Sequence, residues 1–319
     1  MDATSHDPPW RRREFLRQSA TLALAALAGA RATGAEGEAG ATTAPLLRAP
    51  WPAGKQTVAR IGLGTWQVFD VGSSREERAP LAAVLHTLAE AGGDIVDTSP
   101  MYAPAEAVLG ELAAETGLRA RLFFATKVWT RGEAGGVAQM EESLRKLRTD
   151  HVELMQVHNL VDWRTQLRTL RRWKDEGRVG AIGVTHYLES AYDDVERIVR
   201  TEPIDCVQLP LSLMEPEAAR RVLGACAERA VAFIANRPFG GGGSFRRVRG
   251  TPLPSWTAEY GIGSWAQFFL KWILSHPEVT CAIPGTGNPR HMTDNLGAAR
   301  GRLPDAAGRK RMADFWRSV

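Results

Sequence analysis

Short apolar runs alternate with longer amphipathic stretches along the chain from residue 60 onward. A brief apolar run rich in β-branched residues is typical of a strand buried on both faces, whereas apolar positions three and four apart indicate a helix. We therefore predict eight strands, at 60–66, 94–98, 122–128, 152–158, 179–185, 206–211, 230–235 and 279–285. The predicted helices are 75–91, 104–116, 136–148, 162–176, 189–200, 215–229, 262–275 and 289–300.

This alternation predicts an α/β fold with a parallel sheet, because consecutive parallel strands need a helix to return the chain. Eight strand–helix units in about 240 residues indicate a (β/α)8 TIM barrel. A doubly wound open sheet is the alternative, but the Gly-x-Gly-x-x-Gly turn typical of it follows none of the predicted strands. The stretch "GGGGS" at 240–244 follows a proline and does not open a helix, so we interpret it as a flexible loop.

The segment before the first barrel strand, "PLLRAPWPAGKQTVARIG", contains Pro-Ala-Gly between two strand-like pieces. Proline and glycine between apolar runs are typical of a turn. We therefore predict an N-terminal β-hairpin that closes the bottom of the barrel.

Residues 1–35 resemble an export signal. Three arginines at 11–13 precede an apolar stretch at 20–30, and small-residue cleavage sites follow. The apolar stretch is too short to form a permanent membrane span. Residues 11–17 resemble a twin-arginine signal, which implies export of the folded protein by that machinery to the periplasm or another extracytoplasmic space. The alternative is an amphipathic N-terminal helix or a lipid-surface anchor. If the segment is not an export signal, we expect the protein to be cytoplasmic.

Composition helps to divide the chain into domains and argues against some classes of partner. The composition of residues 36–45 predicts a disordered linker, and residues 46–319 are predicted to form the barrel domain. Hydrophobic residues make up 44% and charged residues 24%, as in soluble globular proteins. The net charge of +4 is not concentrated in a basic stripe with aromatics, which argues against nucleic acid and favours a small-molecule partner.

The three cysteines have neither metal-ligand spacing nor close pairing. Each of them, Cys206, Cys226 and Cys281, lies in or beside an apolar run. We therefore predict buried free thiols and no metal site.

Four chemically active side chains fall at the carboxyl ends of three consecutive predicted strands. Asp97 ends the second strand and Tyr102 follows on its loop, Lys127 lies near the end of the third strand, and His158 ends the fourth. Active sites of TIM barrels lie at the carboxyl ends of the strands. Each residue alone has an ordinary structural explanation, but the set of four at one rim predicts a catalytic site.

Electrostatics suggests how the four residues divide the work. A phenol with a pKa near 10 needs roughly 3–4 kcal/mol of preference for phenolate to reach a pKa of about 7–8. An ammonium about 4 Å away supplies up to about 4 kcal/mol at an effective dielectric constant of 20. We expect Lys127 to lower the pKa of Tyr102 and Asp97 to keep Lys127 charged. His158 is then placed to orient a substrate oxygen.

The chain resembles the aldo-keto reductases across roughly residues 46–300. The resemblance lies in "IGLGTWQ", "DIVDTSPMYAPAEAVLG", "FFATKV", "QVHN", "AIGVTHY" and "AIPGTGNPRHMTDNLGA", in the order of the family. It implies NADP(H)-dependent reduction of an aldehyde or ketone by hydride transfer. Tyr102 is then the general acid, Lys127 and Asp97 tune it, and His158 aligns the carbonyl.

The resemblance also implies the residues that contact the cofactor. Those expected beside the nicotinamide, its carboxamide and the pyrophosphate are Gly64, Thr65, Trp66, Thr185, His186, Gln208, Asn236, Arg237 and Pro238. Those expected at the adenosine end are Pro284, Gly285, Thr286, Arg290, Asp294 and Asn295. With no lysine after Pro284, Arg290 is the candidate for the 2′-phosphate, and we favour NADPH over NADH.

Two departures from the family concern the nicotinamide. Thr185-His186 stands where many relatives have Ser-Asn, and Asn236 stands where relatives often have a stacking aromatic residue. Arg237 then either stacks on the ring or contacts the pyrophosphate.

Three tryptophans are candidates for the walls of a carbonyl pocket: Trp66 ends the first predicted strand, and Trp129 and Trp163 lie just past the third and fourth. Packing between loops is the alternative for Trp129 and Trp163. Two other functions on the same fold stay open: a non-catalytic nicotinamide-nucleotide sensor, and an exported sugar or alcohol dehydrogenase working in the reverse direction.

Overall fold

A computed structural model describes residues 44–319 except residues 53 and 55. The predicted signal segment and all but the last two residues of the predicted linker lie outside the described residues. The described strands are β1 (Arg48–Pro50), β2 (Thr57–Ala59), β3 (Leu63–Gly64), β4 (Ile95–Asp97), β5 (Phe123–Val128), β6 (Val152–His158), β7 (Val179–Thr185), β8 (Cys206–Pro210), β9 (Ala232–Asn236) and β10 (Val279–Ala282).

The helices lie between and after these strands. The described α-helices are α1 (Arg75–Glu90), α2 (Ala105–Glu115), α3 (Glu133–Lys146), α4 (Trp163–Asp175), α5 (Tyr192–Thr201), α6 (Glu217–Arg221), α7 (Leu223–Arg229), α8 (Gly243–Arg247), α9 (Trp265–Leu274), α10 (Pro289–Gly297) and α11 (Ala306–Ser318). Within residues 44–319, none of the helices combines the length and apolar character needed to cross a bilayer.

The eight strands β3 to β10 form one parallel sheet in sequential order. The sheet closes on itself through parallel bridges from Ile61 to Ala282 and from Gly64 to Gly285. The backbone N–H of Gly64 donates to the carbonyl of Pro284 at 3.1 Å. The predicted (β/α)8 barrel is therefore confirmed, and all eight strands end at the same mouth.

The hairpin β1–β2 pairs antiparallel, with Arg48 opposite Ala59. Trp51 from the hairpin packs edge-on against Phe123, with ring centroids 5.0 Å apart. Phe123 is the first residue of β5, so the contact lies at the amino ends of the strands. The prediction of a hairpin at the barrel bottom is confirmed.

The barrel holds two apolar cores. A smaller cluster fills the interior, with Ile95, Leu154 and Ile234 pointing inward from their strands. The larger cluster lies between the sheet and the surrounding helices. All three cysteines are buried and free, as predicted.

Some elements differ from the prediction. The interval 240–244, predicted to be a flexible loop, forms a 3-10 turn at Gly240–Gly242 followed by α8. The C-terminal helix α11 was not predicted, because only Gly308, Met312 and Trp316 are buried along a stretch rich in charge. Its start is set by Asp305, whose side chain accepts a hydrogen bond from the backbone N–H of Gly308.

Candidate active site

The barrel register brings the four predicted catalytic residues to one mouth. Asp97 is the last residue of β4 and His158 the last residue of β6, with Lys127 on the strand between them. Tyr102 lies in the loop after β4. Asp97, Lys127 and His158 are buried. The convergence predicted from the sequence is present in the structure.

Lys127 is the most deeply buried of the four. Its Nζ donates to Asp97 Oδ2 and to the carbonyl oxygen of Thr98, both at 2.7 Å. Burial by itself lowers the pKa of Lys127, but the Asp97 carboxylate and the Tyr102 phenol outweigh that effect and leave the pKa above its ordinary value. A buried charge is tolerated where it is paired and hydrogen-bonded. Lys127 therefore stays an ammonium at neutral pH.

The ammonium lies close beneath Tyr102, with Nζ 5.1 Å from the centroid of the ring. The pKa of Tyr102 is nevertheless raised, because burial raises it more than Lys127 lowers it, and Asp97 raises it further. The expectation that Lys127 would bring the pKa down to about 7–8 is therefore wrong. The estimate from charge alone omitted the cost of removing a phenolate from water.

His158 lies beside Tyr102, with the two rings edge-to-face and their centroids 6.1 Å apart. Its Nδ1 is 3.2 Å from the hydroxyl oxygen of Ser99. Burial, together with the positive charge of Lys127 and the neighbouring His186, lowers the pKa of His158 to about 3. The imidazole is therefore neutral at ordinary pH. Sequence reasoning did not single out Ser99, although it lies within the same "DTSPMY" run as Asp97 and Tyr102.

A second set of polar residues holds Asp97 from the opposite side of the barrel. Gln208 Nε2 donates to Asp97 Oδ1 at 2.8 Å. The amide oxygen of Gln208 accepts from Thr185 Oγ1 at 3.2 Å, and Asn236 Nδ2 lies 3.5 Å away. These three residues were predicted to lie along the cofactor. Gln208 contacts the ion pair of Asp97 with Lys127 directly, and Thr185 and Asn236 reach it through Gln208.

The residues of the first strand approach the same pair. Thr65 Oγ1 donates to the backbone carbonyl of Asp97 at 3.0 Å. Gly64 packs against the backbone just after β10, and a Cβ added to Gly64 would be 3.0 Å from the carbonyl oxygen of Ile283. A side chain at position 64 would therefore push β3 away from its neighbour, which explains glycine at this point.

Large apolar side chains surround the mouth. Trp66 is 51% exposed and Trp129 40% exposed, whereas Trp163 is partly buried against the core. Within residues 44–319, the exposed large apolar side chains lie between a barrel strand and the long helix that follows it, six in loops and Phe245 in the short helix α8: Trp66, Met101, Trp129, Tyr187, Leu188, Met214 and Phe245. An apolar rim around a polar centre is typical of a small-molecule site.

A cavity of about 410 Å³ opens between the loops after β9 and β10. It is lined by Phe239, Phe245, Ser264, Trp265, Ala266, Gly285, Thr286, His291, Asp294 and Asn295. Four of these residues, Gly285, Thr286, Asp294 and Asn295, were predicted at the adenosine end. Arg290 is exposed and does not line the cavity, whereas the adjacent His291 does.

Two other predicted cofactor residues are engaged within the loops. Arg237 Nε lies 3.3 Å from Glu215 Oε2, which joins the loops after β8 and β9. His186 Nδ1 accepts from the backbone N–H of Leu188 at 3.0 Å and its ring stacks on Tyr187. Pro238 follows Arg237 in the same loop.

Among the described residues, no three His, Cys, Asp or Glu side chains cluster as metal ligands would.

The fold and site define a TIM-barrel oxidoreductase. Residues 60–308 match the sequence model of the Aldo/keto reductase family, so this chain belongs to that family. Methylglyoxal reductase YeaE of Escherichia coli is 25% identical over 261 residues, which cover 79% of this chain and 89% of that protein. Aldo-keto reductase YhdN of Bacillus subtilis is 29% identical over 180 residues, and this chain spans about half of its length (53%).

A solved aldo-keto reductase from Klebsiella pneumoniae, in complex with NADPH, has the same fold with a TM-score of 0.72. The match covers 86% of this chain and 95% of that one at 23% identity.

Proposed function

We propose that this protein uses NADPH to reduce an aldehyde or ketone to an alcohol, with Tyr102 as the general acid. The observation behind the proposal is the buried Lys127–Asp97 ion pair, 2.7 Å long, directly beneath the Tyr102 ring and beside His158. A purely structural ion pair would not need a phenol and an imidazole at the same opening.

The residues present fit a nicotinamide dinucleotide. The cavity between β9 and β10 has the size of a small-ligand pocket, and three aromatic side chains line it. Asn295 lies in its wall, is nine-tenths or more buried, and makes no side-chain hydrogen bond with other described residues. Its amide is therefore available to a bound base or ribose. The solved relative with NADPH supports the choice of cofactor.

The division of labour follows from the geometry. NADPH, when bound, supplies the hydride that forms the new C–H bond at the carbonyl carbon. The neutral imidazole of His158 donates a hydrogen bond to the carbonyl oxygen and orients it. Tyr102 gives its phenolic proton to that oxygen, Lys127 stabilises the phenolate left behind, and solvent returns the proton after product release.

Tyr102→Phe tests the acid directly. We expect the variant to lower kcat/KM for aldehyde reduction by at least roughly 10²-fold, since it removes the proton donor and keeps the ring. The measurement is the loss of NADPH absorbance with a panel of aldehydes, ketones and keto-sugars, run also in reverse with alcohols. Full activity in Tyr102→Phe would exclude Tyr102 as the acid.

Tyr260→Phe is the matched control for this substitution. Tyr260 is buried beneath the Arg302 guanidinium and belongs neither to the lining of the cavity nor to the exposed apolar rim of the mouth. It should reduce the same panel at the wild-type rate. An equal loss in both variants would show that the effect does not come from the Tyr102 hydroxyl.

A further inference from the structure

Ser99 is completely buried in the loop after β4, between His158 and the backbone of its own loop. Its hydroxyl oxygen is 3.2 Å from His158 Nδ1 and 3.3 Å from the backbone nitrogen of Met101. A backbone N–H can only donate, so the serine oxygen accepts from Met101. The hydroxyl hydrogen of Ser99 then points to His158.

A neutral imidazole has one N–H donor and one acceptor nitrogen, and the partner of one nitrogen determines the role of the other. With Ser99 donating to Nδ1, the ring hydrogen is on Nε2. In the opposite tautomer, Nδ1–H would donate to Ser99. The serine oxygen would then accept two hydrogen bonds, and its own hydrogen would lack an acceptor among the described residues. A buried donor without a partner is unfavourable, so the Nε2–H tautomer is preferred.

We propose that Ser99 is a positioning residue that holds His158 in the Nε2–H tautomer and so makes it a hydrogen-bond donor at the catalytic mouth. The inference rests on the proposed carbonyl reduction for its chemical purpose. A carbonyl oxygen accepts hydrogen bonds, so a lone pair on Nε2 would repel the substrate and an N–H attracts it.

The position of the ring supports this role. Nε2 of His158 makes no hydrogen bond with the described residues, and the imidazole stands edge-to-face to Tyr102. The two donors, the Tyr102 hydroxyl and the His158 N–H, therefore belong to neighbouring side chains at the same mouth. The Ser99 bond sets both which nitrogen has the hydrogen and how the ring is turned, since it anchors Nδ1.

The tautomer of His158 can be measured by NMR in the absence of substrate. In the purified full-length protein with 15N-labelled histidine, we expect His158 to show a protonated Nε2 and an unprotonated Nδ1, with the signals assigned by their loss in His158→Gln. In Ser99→Ala the two nitrogen shifts should move toward each other as the tautomers mix. Ser99→Thr keeps a hydroxyl and should restore the wild-type pattern.

Thr98→Val is the matched control, because Thr98 Oγ1 is a buried hydroxyl in the same loop without a hydrogen-bond partner among the described residues. It should leave the His158 nitrogen shifts unchanged. For carbonyl reduction, Ser99→Ala should lower kcat/KM by roughly two- to tenfold, the effect of one ordinary hydrogen bond.

A wild-type spectrum with the hydrogen on Nδ1 would overturn the proposal, as would unchanged His158 shifts in Ser99→Ala. Both readings are independent of turnover. If the wild-type protein did not oxidise NADPH with any carbonyl, the proposed function would fail while the tautomer result stood on its own.

Discussion

Tyr102 is a phenol whose pKa is raised, not lowered, in the folded protein. A raised pKa keeps the hydroxyl protonated over the whole physiological range, so the acid that we propose holds its proton. In the proposed reaction, proton transfer to a developing alkoxide is favourable, because an alkoxide is a stronger base than a phenolate. The ammonium of Lys127 would then matter most after the transfer, when it stabilises the phenolate.

A substitution at Gln208 can add a negative charge next to the ion pair of Asp97 and Lys127, which lies beneath Tyr102. In Gln208→Glu, the new carboxyl faces Asp97 Oδ1, which now accepts a hydrogen bond from Gln208 at 2.8 Å. Two carboxyl groups so close share a proton, and one of them has a strongly raised pKa. We expect kcat of the variant at saturating NADPH, relative to wild type, to fall as pH rises from 5 to 9, because the added charge disfavours the phenolate.

Gln208→Met is the control for this prediction, since it removes the donor to Asp97 without adding a charge. Its kcat relative to wild type should be independent of pH over the same range. Parallel profiles for the Glu and Met variants would show that Gln208 is not coupled to Tyr102.

At the scale of elements, the loops after the strands form the site that we propose for the cofactor. The barrel places α10 so that its first turn faces the cavity between β9 and β10. Two adjacent basic residues lie in this turn and both are exposed, but only His291 lines the cavity. Contact with the cavity, and not charge, therefore separates the two residues.

We predict that His291 contributes more than Arg290 to the preference for NADPH over NADH. His291→Gln should weaken NADPH binding by roughly tenfold or more, the value of a hydrogen bond to a charged group, and should change NADH binding little. Arg290→Gln should have a smaller effect, because Arg290 does not line the cavity and an ion pair made in solvent contributes only about 0–1 kcal/mol. Tryptophan fluorescence titrations with both cofactors measure the four dissociation constants.

The same titrations contain the result that would contradict this assignment. Equal losses for NADPH and NADH in His291→Gln would place the side chain away from the 2′-phosphate. A larger loss in Arg290→Gln would return the role to Arg290, as the sequence suggested.

At the scale of the whole molecule, Lys271 joins α9 to the chain that follows α10. It is fully buried, and its Nζ donates to the carbonyl oxygens of Arg300 at 2.7 Å and Arg302 at 3.0 Å. Both partners are neutral carbonyls. Burial accordingly lowers the pKa of Lys271 to about 8. Folding therefore includes the cost of burying this charge.

Lys271 should give the folded protein a distinctive dependence on pH. An unfolded lysine has a pKa of about 10.4, so between pH 8 and 10.4 the unfolded chain binds more protons than the folded one. The free energy of unfolding of the wild type, relative to Lys271→Met, should therefore rise with pH across this window, by up to about 3 kcal/mol, and stay level below it. Urea unfolding at pH 7, 9 and 10 measures the difference, and parallel curves would contradict it.

Export concerns the whole molecule. That this protein is exported stays a prediction, which rests on the arginines at 11–13 and the apolar stretch after them. N-terminal analysis of exported protein, expected to begin near residues 31–36, checks it.

Sequence patterns were sufficient to predict the barrel and the meeting of the four candidate catalytic residues at its mouth. Apolar runs of strand length separated by helices allow few topologies, and parallel strands in a barrel must all end at one mouth. Asp97, Lys127 and His158 each stand at such an end, so their meeting followed from order along the chain. The hairpin was predictable for a similar reason, since its turn residues and strands are neighbours in sequence.

What only the tertiary structure decided depends on distance and burial between residues far apart in the chain. Gln208 meets Asp97 across 111 positions and Ser99 meets His158 across 59, and no local pattern encodes either pairing. The pKa of Tyr102 depends on how much water the closed barrel excludes, which outweighs the nearby ammonium. A sequence specifies which groups are present and on which strand ends they stand, whereas solvation and contact arise only once the sheet has closed around them.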